Sequence, residues 1–219
     1  MKTGIVIALI LATIFCRGQS QESKDSLVTE ICKSIMSSQG QPDSARIFAA
    51  LEKHFYPFLR KYPKGQQNDI GTNVFFRLQR NCKAFKAILD KGEPPRGDWE
   101  TIAGKPVTKL NKTDCRHLLD HKKYAYLEPN GDTVRLELAN GFWIDHFKDS
   151  TYSKLTLKLI GECEFEIEFV ESDNQVRKNF SKPGDKYRYQ VIEKLADYYR
   201  MSVEIPDSDQ HLLFKIYYE

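Results

Sequence analysis

The sequence predicts an α+β protein, a small disulfide-stapled helical bundle followed by an antiparallel meander β-barrel of about eight strands. Three observations predict it. Apolar residues repeat near every fourth position up to Leu89, and at every second position in the runs that begin at Tyr124. A glycine- and proline-rich stretch, Asp90 to Asp98, separates the two patterns. Four of the five cysteines fall two and two on either side of that stretch, which reads as one staple per half in an oxidised protein. The expected organisation is a signal peptide at 1–20, a helical domain at 21–90, a linker at 91–98 and a barrel domain at 99–219.

Residues 1–20 carry the three parts of a secretory signal. Lys2 supplies the positive start. Gly4 to Phe15 is an apolar run, shorter than the roughly 20 residues a membrane span needs. Gly18 and Ser20 are small residues placed for cleavage before Gln21. Acylation at Cys16 is the alternative, with Phe15 a poor fit to the small residue that pattern favours just before the cysteine. The expected address is secreted or periplasmic, and no other apolar run is long enough to span a membrane. Loss of Lys2 and Arg17 takes the formal charge from +3 to +1. So neutral a surface gives no footprint for nucleic acid or an acidic membrane.

In the helical half, Leu27, Ile31 and Ile35 repeat at four-residue spacing, beside Val28, Cys32 and Met36. Ile47, Leu51, Phe55 and Phe58 form a second stripe, with Asp43 as its N-cap and Pro57 kinking or ending it at Tyr56. A third helix runs from Asn68 or Thr72 to Leu89, with Val74, Phe75, Leu78, Cys82 and Phe85 on its apolar face. Cys32 and Cys82 both point inward. A disulfide between them would add about 2–4 kcal/mol to a core of marginal size.

In the second half, Cys163, Phe165, Ile167 and Phe169 alternate with Glu164, Glu166 and Glu168, a strand with one buried and one solvated face. Similar alternation runs through Val134–Leu138, Leu155–Leu159, Tyr187–Val191, Tyr199–Ile205 and Leu212–Tyr218. Tyr124–Glu128 and Phe142–Phe147 complete the set. Turn signals at Pro129–Asp132, Asn140-Gly141, Gly161, Pro183–Asp185 and Pro206-Asp207 separate the runs. Connections this short exclude crossover helices, so the sheet is antiparallel and closes most simply as a barrel, or packs as a sandwich.

Trp99, Asp114-Cys115-Arg116, the segment Gly161 to Ile167, Glu171-Ser172 and Lys182 to Asp185 resemble a group of uncharacterised exported bacterial proteins with a lipocalin-like barrel. The resemblance covers about residues 99–219. Leu157 or Leu159 stands in place of the group's tryptophan, and His121 roughly in place of its glycine. The resemblance implies a lipocalin-like barrel and a Cys115–Cys163 bridge. It implies no activity.

No catalytic motif outweighs the plainer reading of its residues. His117 and His121 share a helical spacing that suits zinc, but a third ligand is missing and Lys122 and Lys123 follow at once. Glu164, Glu166, Glu168 and Glu171 read as a solvated strand face. Asp145-His146 lacks a nucleophile to form a triad. No cofactor motif is present. The aromatic side chains carry the functional expectation. Phe142, Phe165, Phe169, Tyr187, Tyr189, Tyr199 and Phe214 are expected to point inward and line a site for an apolar small molecule or lipid. The expected function is that of an exported, non-enzymatic, ligand-binding barrel. The alternatives are a structural or interaction protein docking through its helical half and, less favoured, an extracytoplasmic hydrolase.

Overall fold

The computed structural model describes residues 23–91, 97–206 and 208–219. The expected signal peptide and Cys16 lie outside the described residues, as do positions 92–96 of the expected linker. The chain divides into two compact units, Met1–Gly92 and Glu93–Glu219.

In the first unit, helix α1 (residues 23–37) turns Leu27, Val28, Ile31 and Ile35 inward, as their spacing dictates. Helix α2 (Asp43–Ala50) begins after Pro42, so Asp43 is its first residue and not the expected cap. The Asp43 carboxylate pairs instead with Arg46 and Lys91. Of the kink or end expected at Tyr56, the helix shows a disruption and not an end. It widens into a π-helical turn, Leu51–Phe55, and resumes as α3 (Tyr56–Leu59) with Pro57 in the new first turn. A first turn needs no amide donor there, which is why proline is accommodated. The third expected helix starts earlier and breaks in two, as α4 (Lys64–Asn81) and α5 (Lys83–Asp90). Cys82 lies between them in an extended conformation, φ −123° and ψ 96°, and forms the disulfide to Cys32. Ile70, Val74, Leu78 and Phe85 complete the core. The buried Arg46 guanidinium donates to the Ile35 carbonyl at 3.1 and 3.0 Å, filling an acceptor that the end of α1 leaves open.

The second unit begins with a short strand not foreseen in the sequence, β1 (Glu100–Ala103). Helix α6 (Lys112–Asp120) follows, capped by the Asn111 side chain, which accepts from the Asp114 amide at 3.0 Å. Then come the eight expected strands. They are β2 (Lys123–Leu127), β3 (Thr133–Ala139), β4 (Phe142–His146) and β5 (Tyr152–Leu159). β6 (Glu164–Ser172), β7 (Lys186–Lys194), β8 (Tyr198–Glu204) and β9 (Gln210–Tyr218) complete them. Each pairs antiparallel with the next. One edge of β9 pairs with β8, and the other meets β2 at Tyr124↔Tyr218 and Ala125↔Tyr217. The eight strands therefore close into a barrel. The β3–β4 hairpin turns on Asn140 and Gly141, both at positive φ (53° and 76°), the conformation a two-residue hairpin requires.

Where β2 leaves β9, β1 takes over the β9 edge, from Glu100↔Leu213 to Ala103↔Gln210. Trp99 bridges the divergence. Its indole N–H donates to the Leu127 carbonyl on β2, and its ring stacks on Phe214 of β9 at 4.8 Å.

The two barrel ends are closed differently. At one end α6 buries Cys115 and Leu118 in the barrel core. The Cys115–Cys163 disulfide fixes it to the β5–β6 turn, and Tyr124 Oη donates to the Leu118 carbonyl at 2.8 Å. At the other end, helix α7 (Gln175–Phe180) lies within the β6–β7 connection. That connection is long enough for one short helix, although the sequence reading expected none.

Replacing Cys115 and Cys163 together by serine should cost the barrel about 3–4 kcal/mol, for a bridge spanning 48 residues. Both tryptophans, Trp99 and Trp143, lie in this unit, so urea unfolding followed by tryptophan emission reads it selectively. A loss below about 1 kcal/mol would show that α6 is held by packing alone.

Candidate functional site

Six of the seven aromatic residues expected inside the barrel are there. Phe165, Phe169, Tyr199 and Phe214 are buried in its core, and Tyr187 and Tyr189 pack against it. Phe142 is the correction. It lies on the outer face of β4, with the Lys154 ammonium 4.2 Å above its ring, while Trp143 and Asp145 take the inner face. The run Phe142-Trp143-Ile144 is apolar on both faces, so alternation alone does not choose. The register chooses, by setting Trp143 opposite the inward Leu138 and Leu155.

The inward rings do not surround one empty centre. Phe165 and Tyr189 stack at 5.5 Å with an 11° interplanar angle, and Trp143 meets them at 6.0 and 5.5 Å. Tyr189 also meets Phe214 edge-on at 5.8 Å. These are ordinary aromatic contact distances, and they form a continuous slab across the barrel. Tyr199 belongs to a separate group at the α6 end, with Tyr124, Tyr218 and His121.

Toward the α7 end the character changes. Asp145 projects inward from β4 and is only 6% exposed. The Trp143 indole N–H donates to its Oδ1 at 2.9 Å, and Tyr126 is a further polar neighbour. Burial drives the Asp145 pKa up from 3.8 to about 6, although the nearby Arg177 charge and these polar neighbours pull it down. Tyr126 and Tyr189 are both held well above the usual phenol range, first by burial and then by the Asp145 charge.

Arg177 sits over this group from α7. Its guanidinium donates to Glu128 at the start of the β2–β3 turn and lies 5.3 Å from the centre of the Phe147 ring. Burial works against its charge, and Tyr126, Glu128 and Asp145 more than offset that. α7 is placed by Asn174, whose side chain accepts from the Val176 and Arg177 amides and donates to Thr151 Oγ1 at 2.9 Å. The helix thereby ties together the β2–β3, β4–β5 and β6–β7 connections by side-chain bonds.

No protein-family model matches the chain, and no curated protein matches it. The functional reading rests on the site itself.

The other sequence candidates are placed as follows. His146 lies exposed on the outer face of β4, 3.7 Å from Glu137, opposite to Asp145, so the pair does not act as one. Glu164 pairs with Lys105, and Glu166 and Glu168 with Lys186. His121 packs against Tyr124 and Tyr218, while His117 is exposed. Among the described residues, no group of three or more His, Cys, Asp or Glu is placed to hold a metal ion. No described helix is long and apolar enough to cross a membrane. Sequence reasoning missed Arg177, which lies in a turn segment without periodicity. It also joined Asp145 to the wrong neighbour. An acid two residues after Trp143 on an inward alternation was the available signal.

A buried carboxyl whose pKa is raised opposes folding when ionised. The folded barrel keeps a proton that the unfolded chain releases between about pH 4 and 6. Stability should therefore fall as pH rises through that window, by up to about 3 kcal/mol. Asp145→Asn should raise stability at neutral pH and flatten the slope. Urea midpoints measured from about pH 4.5 to 7, above the range where the paired carboxylates titrate, test this. A wild-type midpoint that climbs with pH would contradict the assignment.

Proposed function

We propose that this is a non-enzymatic, lipocalin-like barrel that binds an apolar small molecule or lipid, entered from the α7 end. One observation carries the reading. Asp145 is buried inside a mainly apolar barrel with Tyr126 and Tyr189 as electrostatic neighbours, and a barrel built for stability alone would bury no ionisable group there. Perturbed titratable groups among aromatic side chains are a common mark of functional sites. Asp145 and His146 lie on opposite faces of β4, an arrangement that lends no support to a paired acid and histidine there. Membership of the group of exported bacterial proteins with lipocalin-like barrels is part of this proposal, supported by the eight-strand barrel and the Cys115–Cys163 bridge. Export to a secreted or periplasmic location is supported by two disulfides, which persist in oxidising compartments.

A second reading has its own support. Met36, Phe48, Tyr56 and Phe75 are large apolar side chains exposed on the helical unit, Phe48 to 61%, and such exposure suits docking of a partner.

Native mass spectrometry of the oxidised protein separates the two. The carrier reading expects an adduct of small-molecule mass, lost on activation, or a shift in tryptophan emission on adding a long-chain apolar probe. A bare mass together with unchanged emission would refute it.

A further inference from the structure

The near-zero net charge of the chain conceals two opposite halves. Residues 23–91 hold 12 lysines and arginines against 6 acids, a formal charge of +6. Residues 97–219 hold 18 against 22, a formal charge of −4. The change of sign coincides with the boundary between the two compact units. An anionic surface therefore attracts the helical unit and repels the barrel, although the chain as a whole offers it little footprint.

Much of the unpaired positive charge lies toward the end of one helical run. Lys33, Arg46, Lys86 and Lys91 form ion pairs within the unit. Lys53, Arg60, Lys61 and Lys64 are exposed and make no ion pair among the described residues. Lys53 lies in the π-helical turn, Arg60 and Lys61 just past α3, and Lys64 at the start of α4.

The same run is apolar on its outer face. Its inner face already packs Ile47, Leu51, Phe55 and Phe58 against the helical core. Yet Ala45, Phe48, Ala49, Tyr56 and Pro57 are all exposed, and Glu52 is the one exposed acid among them. Phe48 and Tyr56 stand about two turns apart on this ridge. Exposed aromatic side chains flanked by lysine and arginine suit a helix that lies in the interface of a bilayer. Each basic side chain close to an anionic lipid surface adds to the attraction.

Resting on the second reading above, docking through the helical unit, we propose that the outer face of the α2–α3 run binds an anionic lipid surface. Phe48 and Tyr56 enter the headgroup layer, and Lys53, Arg60, Lys61 and Lys64 pair with lipid phosphates. A convex ridge suits a bilayer, which yields around it, better than a folded acidic partner, which needs a matching groove. The negative charge of the barrel keeps that unit off the same surface.

Cosedimentation with lipid vesicles tests this on the oxidised protein, purified after export and cleavage before Gln21. Vesicles of phosphatidylcholine alone are compared with vesicles of phosphatidylcholine and phosphatidylglycerol. The anionic vesicles are expected to bind at least about tenfold more tightly, and to lose at least about tenfold on moving from about 0.1 to about 0.5 M salt. Lys53→Gln, Arg60→Gln, Lys61→Gln and Lys64→Gln together should weaken that binding at least about tenfold. Phe48→Ser should weaken it at least about threefold, with folding of both variants checked by circular dichroism. Equal binding to both vesicle types, or binding indifferent to the four basic substitutions, would overturn the proposal. Poly-glutamate bound through the same four residues, with the vesicles left unbound, would overturn the lipid surface and leave docking through the helical unit standing. Failure to bind either would overturn the lipid surface and charge-driven docking together.

Discussion

Closure of the barrel is the constraint on which the rest depends. It is made by a short contact between the first and last barrel strands, Tyr124↔Tyr218 and Ala125↔Tyr217. Without it, β2 and β9 would present open edges, and water would reach the inner face of every strand. The seam is too short to seal the full height of the barrel. β1 therefore pairs with the rest of the β9 edge, and Trp99 links the two diverging strands by one hydrogen bond and one ring stack. A closed seam makes the interior dry, and a dry interior is what makes Asp145 costly to ionise and sets its tyrosine neighbours so far from their usual range.

The two ends of this dry interior differ in the kind of bond that shuts them. α6 is covalently tied through Cys115–Cys163 and buries Leu118 among the barrel residues. α7 is held by a partly exposed ion pair, a cation–π contact and hydrogen bonds from Asn174. Contacts of that kind contribute about 0.5–1.5 kcal/mol each and can open locally. The asymmetry gives the barrel one fixed end and one that can be released. It places Asp145, one of two buried aspartates among the described residues, at the releasable end.

Much of this architecture is legible in the amino-acid sequence, for physical reasons that vary by element. The eight barrel strands are readable because each buries one face, which forces a period of two. The Asn140-Gly141 hairpin is readable because few residue pairs accept positive φ twice. Phe142 is misplaced in the sequence reading because both faces of β4 are apolar there, so only pairing with β3 and β5 settles its direction. At Pro57 the sequence leaves a kink and an end equally open, because the π-helical turn that absorbs the disruption leaves no sequence signature of its own. The site is the least legible part. It joins Tyr126, Asp145, Arg177 and Tyr189 from four separate elements, and Arg177 comes from a connection with no repeating pattern.

The central claim is that the barrel holds an ionisable carboxyl in a dry interior. The most direct measurement is a carbon-13 NMR titration of the Asp145 side-chain carboxyl in the oxidised, full-length protein, assigned by comparison with Asp145→Asn. The account predicts a midpoint of about 6. A midpoint at or below the ordinary value of 3.8 would mean that the carboxyl is solvated or fully paired, and would contradict the account.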